Sequence, residues 1–289
     1  MKPAAFDYHA PHTVAEAVAL LGALPEARVL AGGQSLVPML NLRVATPEHL
    51  VDLGNIAALR GIADGAGSLH IGAMTTQREI ERSAAVAAAC PLLAEAVRHV
   101  GHQQTRNRGT LGGSLCHLDP GAELPVVAAA LDAELTVQGP DGVRRLQFAE
   151  LPAGYLTNTL GPGEILTSVA FPETPPDEGH AFAEFNQRPA DFAVVSVAAT
   201  VRLDRGRVGA ARIAVGGIGF APVRLTAAEA ALVDGEVDEA WFAAAAAAAA
   251  AIPCEGDEVS PPWFRQHLLG VLVRRALATA AVRAGGRHG

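Results

Sequence analysis

Two turns built on paired glycines constrain this chain more than any other feature. One lies in Val29–Met39 (VLAGGQSLVPM), the other in Arg106–Pro125 (RNRGTLGGSLCHLDPGAELP). Each is entered from an apolar or Thr-bearing segment and left through a serine. A glycine pair followed by a hydroxyl removes Cβ bulk, tolerates positive φ and lets backbone N–H groups crowd together. Convergent N–H groups of that kind form an anion-binding nest suited to phosphate. For either turn alone an ordinary loop is the better reading. Two of them, about eighty residues apart, predict one diphosphate gripped from two sides. Gln34, Ser35, Thr110 and Ser114 add side-chain donors, and no carboxylate follows the second turn until Asp119. Neither turn reads G-x-G-x-x-G and no lysine follows, so a doubly wound nucleotide fold or a P-loop is not supported.

With 289 residues the chain can hold two domains and a sizeable core. Half of it is apolar and 18% charged, which places it among folded globular proteins and away from disordered ones. A net charge of −8 argues against nucleic acid, whose partners cluster positive charge. Lys2 is the only lysine, and the arginines are scattered in pairs at most. No apolar run reaches the ~18–20 residues that span a bilayer. The opening MKPAAFDYHAPHT lacks the apolar run of a secretory signal, so a cytoplasmic location is expected. Cys90, Cys116 and Cys254 stand too far apart for a zinc or iron–sulfur spacing and are odd in number for disulfides. They read as buried thiols, and no metal ligands are assigned.

Along the chain, Thr13-Val-Ala-Glu16 and Thr76-Gln-Arg-Glu79 read as capping boxes opening helices, the first stopped at Gly22. Arg28–Ala31, His49–Leu53 and Ser68–Gly72 read as strands, and Pro91 starts a helix closed by Gly101. Pro125–Leu131 reads as helix. Glu134–Gln138 and Val143–Phe148 flank Gly-Pro-Asp-Gly as a hairpin, with a further strand at Glu164–Phe171. PETPPDEG at 172–179 is the strongest boundary signal. Beyond it, His180–Asn186, Ala193–Leu203 and Arg207–Gly216 predict three antiparallel strands. Thr226-Ala-Ala-Glu229 reads as a third capping box. A helix over 238–251 holds nine consecutive alanines, a structural feature since alanine is the best helix former. Ser260-Pro-Pro opens a last long helix.

Other candidates carry bland readings beside functional ones. Asp119 and Glu123, past the second turn, either serve a helix N-terminus or accept from a ribose hydroxyl. His102 and His117 have no metal-ligand spacing, and Ser114 with His117 lacks the strand–G-x-S-x-G–helix elbow of a hydrolase. Arg188-Pro-Ala-Asp191-Phe192 is either a local Arg–Asp pair at a strand start or the place where an aromatic lies against a flat ring system. No catalytic acid or base is assigned.

These segments resemble a known family. AGGQSLVPMLNLR at 31–43 and RNRGTLGGSLCHLDPGAELPVVAAALDAEL at 106–135 are similar to the two FAD-pyrophosphate signatures of the medium subunit of bacterial molybdenum hydroxylases, the carbon monoxide dehydrogenase and xanthine dehydrogenase group. PAAFDYHAPHTVAEAVALL at the start, LGPGEILTSVAFP at 160–172, RPADFAVVSVAATV at 188–201 and FRQHLLGVLVRRAL at 264–277 follow in the family's order.

The resemblance implies an α+β chain. A vanillyl-alcohol-oxidase-type (PCMH) FAD-binding domain of two α/β subdomains, 1–55 and 56–175, would precede a C-terminal domain, 176–289, with a three-stranded antiparallel sheet and helices. It implies that Val29, Leu30, Ala31, Gly32, Gly33, Gln34, Ser35 and Leu36 hold the FAD pyrophosphate together with Thr110, Leu111, Gly112, Gly113 and Ser114, through backbone N–H groups. Glu123 would contact the adenosine ribose, Leu166 would line the flavin pocket, and Asp191 and Phe192 would sit near the isoalloxazine ring. The implied role is electron transfer: FAD takes electrons from the [2Fe–2S] clusters of a small partner subunit and passes them to an external acceptor. Molybdopterin and hydroxylation would belong to a large partner subunit, the whole forming a dimer of heterotrimers. The alternatives are a self-contained FAD oxidoreductase of the same fold and a nucleotide-binding subunit without flavin. Three departures stand out. Phe182-Ala-Glu184 replaces a segment in which some relatives carry a lysine approaching the flavin, Gln34 stands for His or Asn, and Leu111 stands for Ile.

Overall fold

The computed structural model describes residues 1–285, so the last four residues of the third expected unit lie outside the described residues. The first unit is β1 (Asp7–His9), α1 (Val14–Ala23), β2 (Ala27–Leu30), α2 (Leu36–Leu42) and β3 (His49–Asp52). β3 lies between β1 and β2 and is parallel to both. Thr13 Oγ1 accepts from the Glu16 amide at 3.2 Å, but the Glu16 carboxylate accepts from His12, not Thr13. The box thus closes one residue early. α1 also continues through Gly22 to Ala23, because a single glycine weakens a helix without forbidding it. Pro38 is tolerated in the first turn of α2, where a missing N–H breaks no intrahelical bond.

Two short 3₁₀ turns lead into a five-stranded sheet of order β4-β5-β10-β6-β7, antiparallel throughout. Its strands are β4 (Ile62–Gly65), β5 (Ser68–Gly72), β6 (Glu134–Gly139), β7 (Gly142–Gln147) and, after the small pair β8 (Pro152–Gly154) and β9 (Thr157–Asn158), β10 (Ile165–Pro172). Six helices intervene between β5 and β6: α3 (Gln77–Arg82), α4 (Ala84–Ala89), α5 (Pro91–Ala96), α6 (Gln103–Arg106), α7 (Leu111–His117) and α8 (Glu123–Ala130). The Thr76–Glu79 box is complete, with both reciprocal bonds made. Helices and sheet share one core in which Leu69, Ile71, Leu92, Leu115, Val127 and Phe171 are fully buried.

The third unit holds the three long antiparallel strands β11 (Glu178–Phe185), β12 (Val195–Asp204) and β13 (Arg207–Gly216), and the two-residue β14 (Val223–Arg224) adds a fourth at the edge. α9 (Thr226–Leu232), α10 (Glu239–Ala250) and α11 (Pro262–Gly285) follow. Asp238 caps α10 by accepting from the Trp241 amide, and Ala245 and Ala249 of the alanine tract are buried in this unit's core. The expected box at Thr226 does not form. Leu225 is the N-cap, and Glu229 is drawn inward to accept from the Ile213 amide at 2.7 Å and from both arms of Arg224. A buried strand amide and a bidentate guanidinium hold a carboxylate more strongly than a helix end does.

α11 lies on β11 so closely that a Cβ at Gly179 would overlap the backbone of Ala280 and Ala284. Gly179→Ala should therefore destabilise the chain by about 1–3 kcal/mol through overpacking. Urea unfolding of the two proteins measures this, with the same change at Gly67, whose Cβ would meet nothing within 4 Å, as a comparison for glycine loss at positive φ.

Candidate functional site

The two Gly-Gly turns meet. The first links β2 to α2, and the second runs from α6 into α7. A Cβ at Gly32 would overlap the carbonyl of Arg108 and lie 2.8 Å from the α-carbon of Gly109; one at Gly113 would sit 3.4 Å from Ala31. Backbone thus touches backbone, which only glycine allows. Gly33 adopts φ 73, a left-handed turn that glycine makes without strain. Beside this contact is an open cleft of about 340 Å³ lined by Ala31, Gly32, Gly33, Gln34, Asp52 and Arg108, among others.

The two turns contribute differently. Among the described residues, the amides of Gly32, Gly33, Gln34, Ser35 and Leu36 donate to no acceptor of the chain. In the second turn the amides are engaged. Leu111 donates to Thr75 O (3.1 Å), Gly112 to Ala73 O (2.8 Å), Gly113 to Thr110 Oγ1 (3.1 Å) and Ser114 to Thr110 O (3.2 Å). These four amides are thus all paired within the chain. They anchor α7 to the β5–α3 segment, and the turn's free donors are the hydroxyls of Thr110 and Ser114. Gln34 folds its amide back onto Gly32 O at 3.3 Å.

The remaining expected residues lie on α8, β10, β2 and the segment before β12. Glu123 is the first residue of α8 and only 3% exposed. Two residues earlier, Gly121 O accepts from the Ala193 amide at 3.2 Å, which brings the Asp191–Phe192 segment of the third unit against the second. Asp191 and Phe192 are exposed there. Arg188 and Asp191 share a turn bond, Asp191 N to Arg188 O, and among the described residues no ion pair joins them. Leu166 is buried in β10 opposite Val137. Val29 and Leu30 belong to β2, half-buried, where Leu30 lines the first cleft.

Glu184, which the sequence marked only as a departure, has a definite place. Its Oε1 accepts from His99 Nδ1 and Asn186 Nδ2, both at 3.1 Å, and its buried Oε2 has no partner. The bond to this carboxylate raises the His99 pKa. Both residues line a second open cleft of about 540 Å³, with His102 and Pro189 at its rim. Burial, reinforced by the charge of Glu184, pushes the Glu123 carboxyl up to about 8. His117 lies half-buried in the last turn of α7 and takes no part in either cleft. Sequence reasoning missed Arg108 and Asp52 as lining groups. The arginine's place directly before Gly109 was the signal available.

Glu123 binds a proton in the folded chain that it releases in the unfolded one between about 4.5 and about 8. Stability from this group is therefore complete at low pH and is lost as pH rises through that window. Glu123→Gln keeps the shape and removes the titration. Its stability relative to wild type should rise steadily from pH 5 to 8 and level off above, as read by urea unfolding across pH.

Comparisons with known proteins agree with this architecture. The family model described as FAD binding domain in molybdopterin dehydrogenase matches residues 4–174, and that described as CO dehydrogenase flavoprotein C-terminal domain matches 180–280. The 6-hydroxypseudooxynicotine dehydrogenase complex subunit alpha of Paenarthrobacter nicotinovorans is 38% identical, over 98% of this chain and 97% of its own. The carbon monoxide dehydrogenase medium chain of Afipia carboxidovorans is 36% identical, over 98% and 99%. Among solved structures, carbon monoxide dehydrogenase from Hydrogenophaga pseudoflava superposes with a TM-score of 0.95 at 38% identity, over 98% and 99% of the two chains. Quinoline 2-oxidoreductase from Pseudomonas putida 86 gives 0.94 at 37% identity, over 98% and 99%.

Proposed function

We propose a function from one premise: this chain belongs to the family of FAD-binding subunits of molybdopterin dehydrogenases. It is the FAD-carrying medium subunit of a molybdenum hydroxylase, an oxidoreductase complex, and its work is electron transfer. One observation carries the reading: the backbone contact of the two Gly-Gly turns beside a cleft lined by Gly32, Gly33 and Gln34, whose amides have no acceptor in the chain. That cradle fits a diphosphate: it is walled by glycine backbone, and a side chain at Gly32 would overlap the Arg108 carbonyl and force the two turns apart. A Cβ at Gly112 would stand 2.7 Å from that of Ala73.

In this reading the Gly32–Leu36 amides and the hydroxyls of Thr110 and Ser114 hold the pyrophosphate, with Val29, Leu30 and Ala31 forming the strand end and Leu111, Gly112 and Gly113 the facing wall. Glu123 contacts the adenosine ribose, Leu166 lies behind the flavin, and Asp191 and Phe192 border its ring. FAD supplies a two-electron store that can be filled one electron at a time; the protein binds it, orients it and tunes it. Glu184 lies in the second cleft, in the segment where some relatives place a lysine, so a carboxylate rather than a cation sets the local field.

Three cysteines cannot provide the four thiolates of a [2Fe–2S] cluster, and among the described residues no His/Cys/Asp/Glu group could hold a metal. Clusters and molybdopterin therefore sit on small and large partner subunits, in a dimer of heterotrimers. No helix among the described residues is long and apolar enough to cross a membrane, and a cytoplasmic location is part of the proposal. The units 1–55, 56–175 and 176–289 are taken as the two FAD subdomains and the C-terminal domain.

The full chain purified alone should carry flavin absorbance yet hydroxylate nothing, and should support turnover once combined with its two partner subunits. Gly32→Val should remove the flavin while far-UV circular dichroism stays native. Hydroxylation by the single chain, or a fully flavinated Gly32→Val protein, would overturn the assignment.

A further inference from the structure

The cleft beside the Gly-Gly contact has one cation among its described lining residues, Arg108, and one carboxylate, Asp52. Asp52 is already satisfied: its Oδ2 accepts from Tyr8 OH at 2.6 Å and its Oδ1 from the Gly54 amide at 2.7 Å. Arg108 is the opposite case. Its side chain is exposed and makes no hydrogen bond or ion pair with any described residue. Its neighbour Arg106 shows what an engaged arginine looks like here, bonded to both oxygens of Glu81 and to Val100 O and Gly101 O.

Position adds to this. The Arg108 carbonyl packs on Gly32, so the side chain springs from a fixed point beside the five unpaired amides of the first turn. The second turn's amides are tied to Ala73, Thr75 and Thr110 and bring no further positive ends. Lys2 is the only lysine in the chain. A doubly charged diphosphate in this cleft would therefore meet amides from one side and hydroxyls from the other, with a single unpaired guanidinium to neutralise it.

We propose that Arg108 is a cationic clamp for the cofactor's diphosphate, closing over the phosphates that the Gly32–Leu36 amides hold. This rests on the FAD reading above and adds a binding residue to it. Guanidinium suits the task because its planar fork bonds two phosphate oxygens at once and keeps its charge at every physiological pH. Being unpaired without ligand, it breaks no internal bond when it closes.

The test uses the full chain, freed of flavin and titrated with FAD by fluorescence quenching at two salt concentrations. Arg108→Gln should weaken FAD binding about 10- to 100-fold, the range for losing a charged hydrogen-bond partner. Its affinity should also respond less to salt. Arg108→Lys should recover part of the loss, since it restores charge without the fork. ADP, which has the diphosphate without the flavin, should compete with FAD, and Arg108→Gln should weaken it by a similar factor. Unfolding of the flavin-free variants should match wild type, which a structural role for Arg108 would not allow. Unchanged FAD affinity in Arg108→Gln would overturn the clamp. So would a loss for FAD with none for ADP, which would move the arginine to the flavin end. A wild-type chain that binds no FAD at all would instead sink the functional reading itself.

Discussion

Everything that positions the cleft depends on how closely the main chain at Gly32 can approach the main chain at Arg108 and Gly109. Two loops from separate units are in contact there with no side chain between them. Their strands and helices are fixed by burial elsewhere: Val51 and Leu53 anchor the first unit, and Leu111 and Leu115 pin α7 into the second. The contact is thus a consequence of two cores, and a methyl group is enough to separate them.

The units are further tied by charged side chains reaching backbone. Arg283 of α11 bonds Glu95 at 2.5 Å and His180 O at 2.7 Å, while Arg224 of β14 reaches Ala129 O and Asp132. Arg265 gathers Val194 O, Gly217 O and Asp257. The Arg283 and Arg224 bonds hold the third unit against α5 and the end of α8, while those of Arg265 brace the third unit internally. Arginine serves this purpose because one planar group satisfies several carbonyls at once.

Much of the architecture was legible because local and tertiary signals agreed. Thr76 with Glu79, Pro91, the Gly-Pro-Asp-Gly hairpin and the Asp204–Gly206 turn each did what their chemistry favours. Where sequence reasoning failed, a distant partner won. Glu229 left its helix end for Ile213 and Arg224, a strand amide and an arginine that no local pattern announces. The site shows the same split. Glycine pairs announce that backbone is exposed, but not which amides remain unpaired, since Thr75 and Ala73 take those of the second turn from more than thirty residues upstream. The part-buried pairing of His99 with Glu184 spans 85 residues and had no sequence signal at all.

A grip made of main-chain amides is indifferent to the side chains that hang from them. In the proposed site the donors at Gln34, Ser35 and Leu36 would be the peptide groups themselves, which a change of side chain leaves in place. The intolerant position is the one with no side chain to change, Gly32, where a Cβ would overlap the Arg108 carbonyl. Diversification of the family's chemistry can therefore proceed everywhere around the cofactor while the handle by which it is carried stays the same.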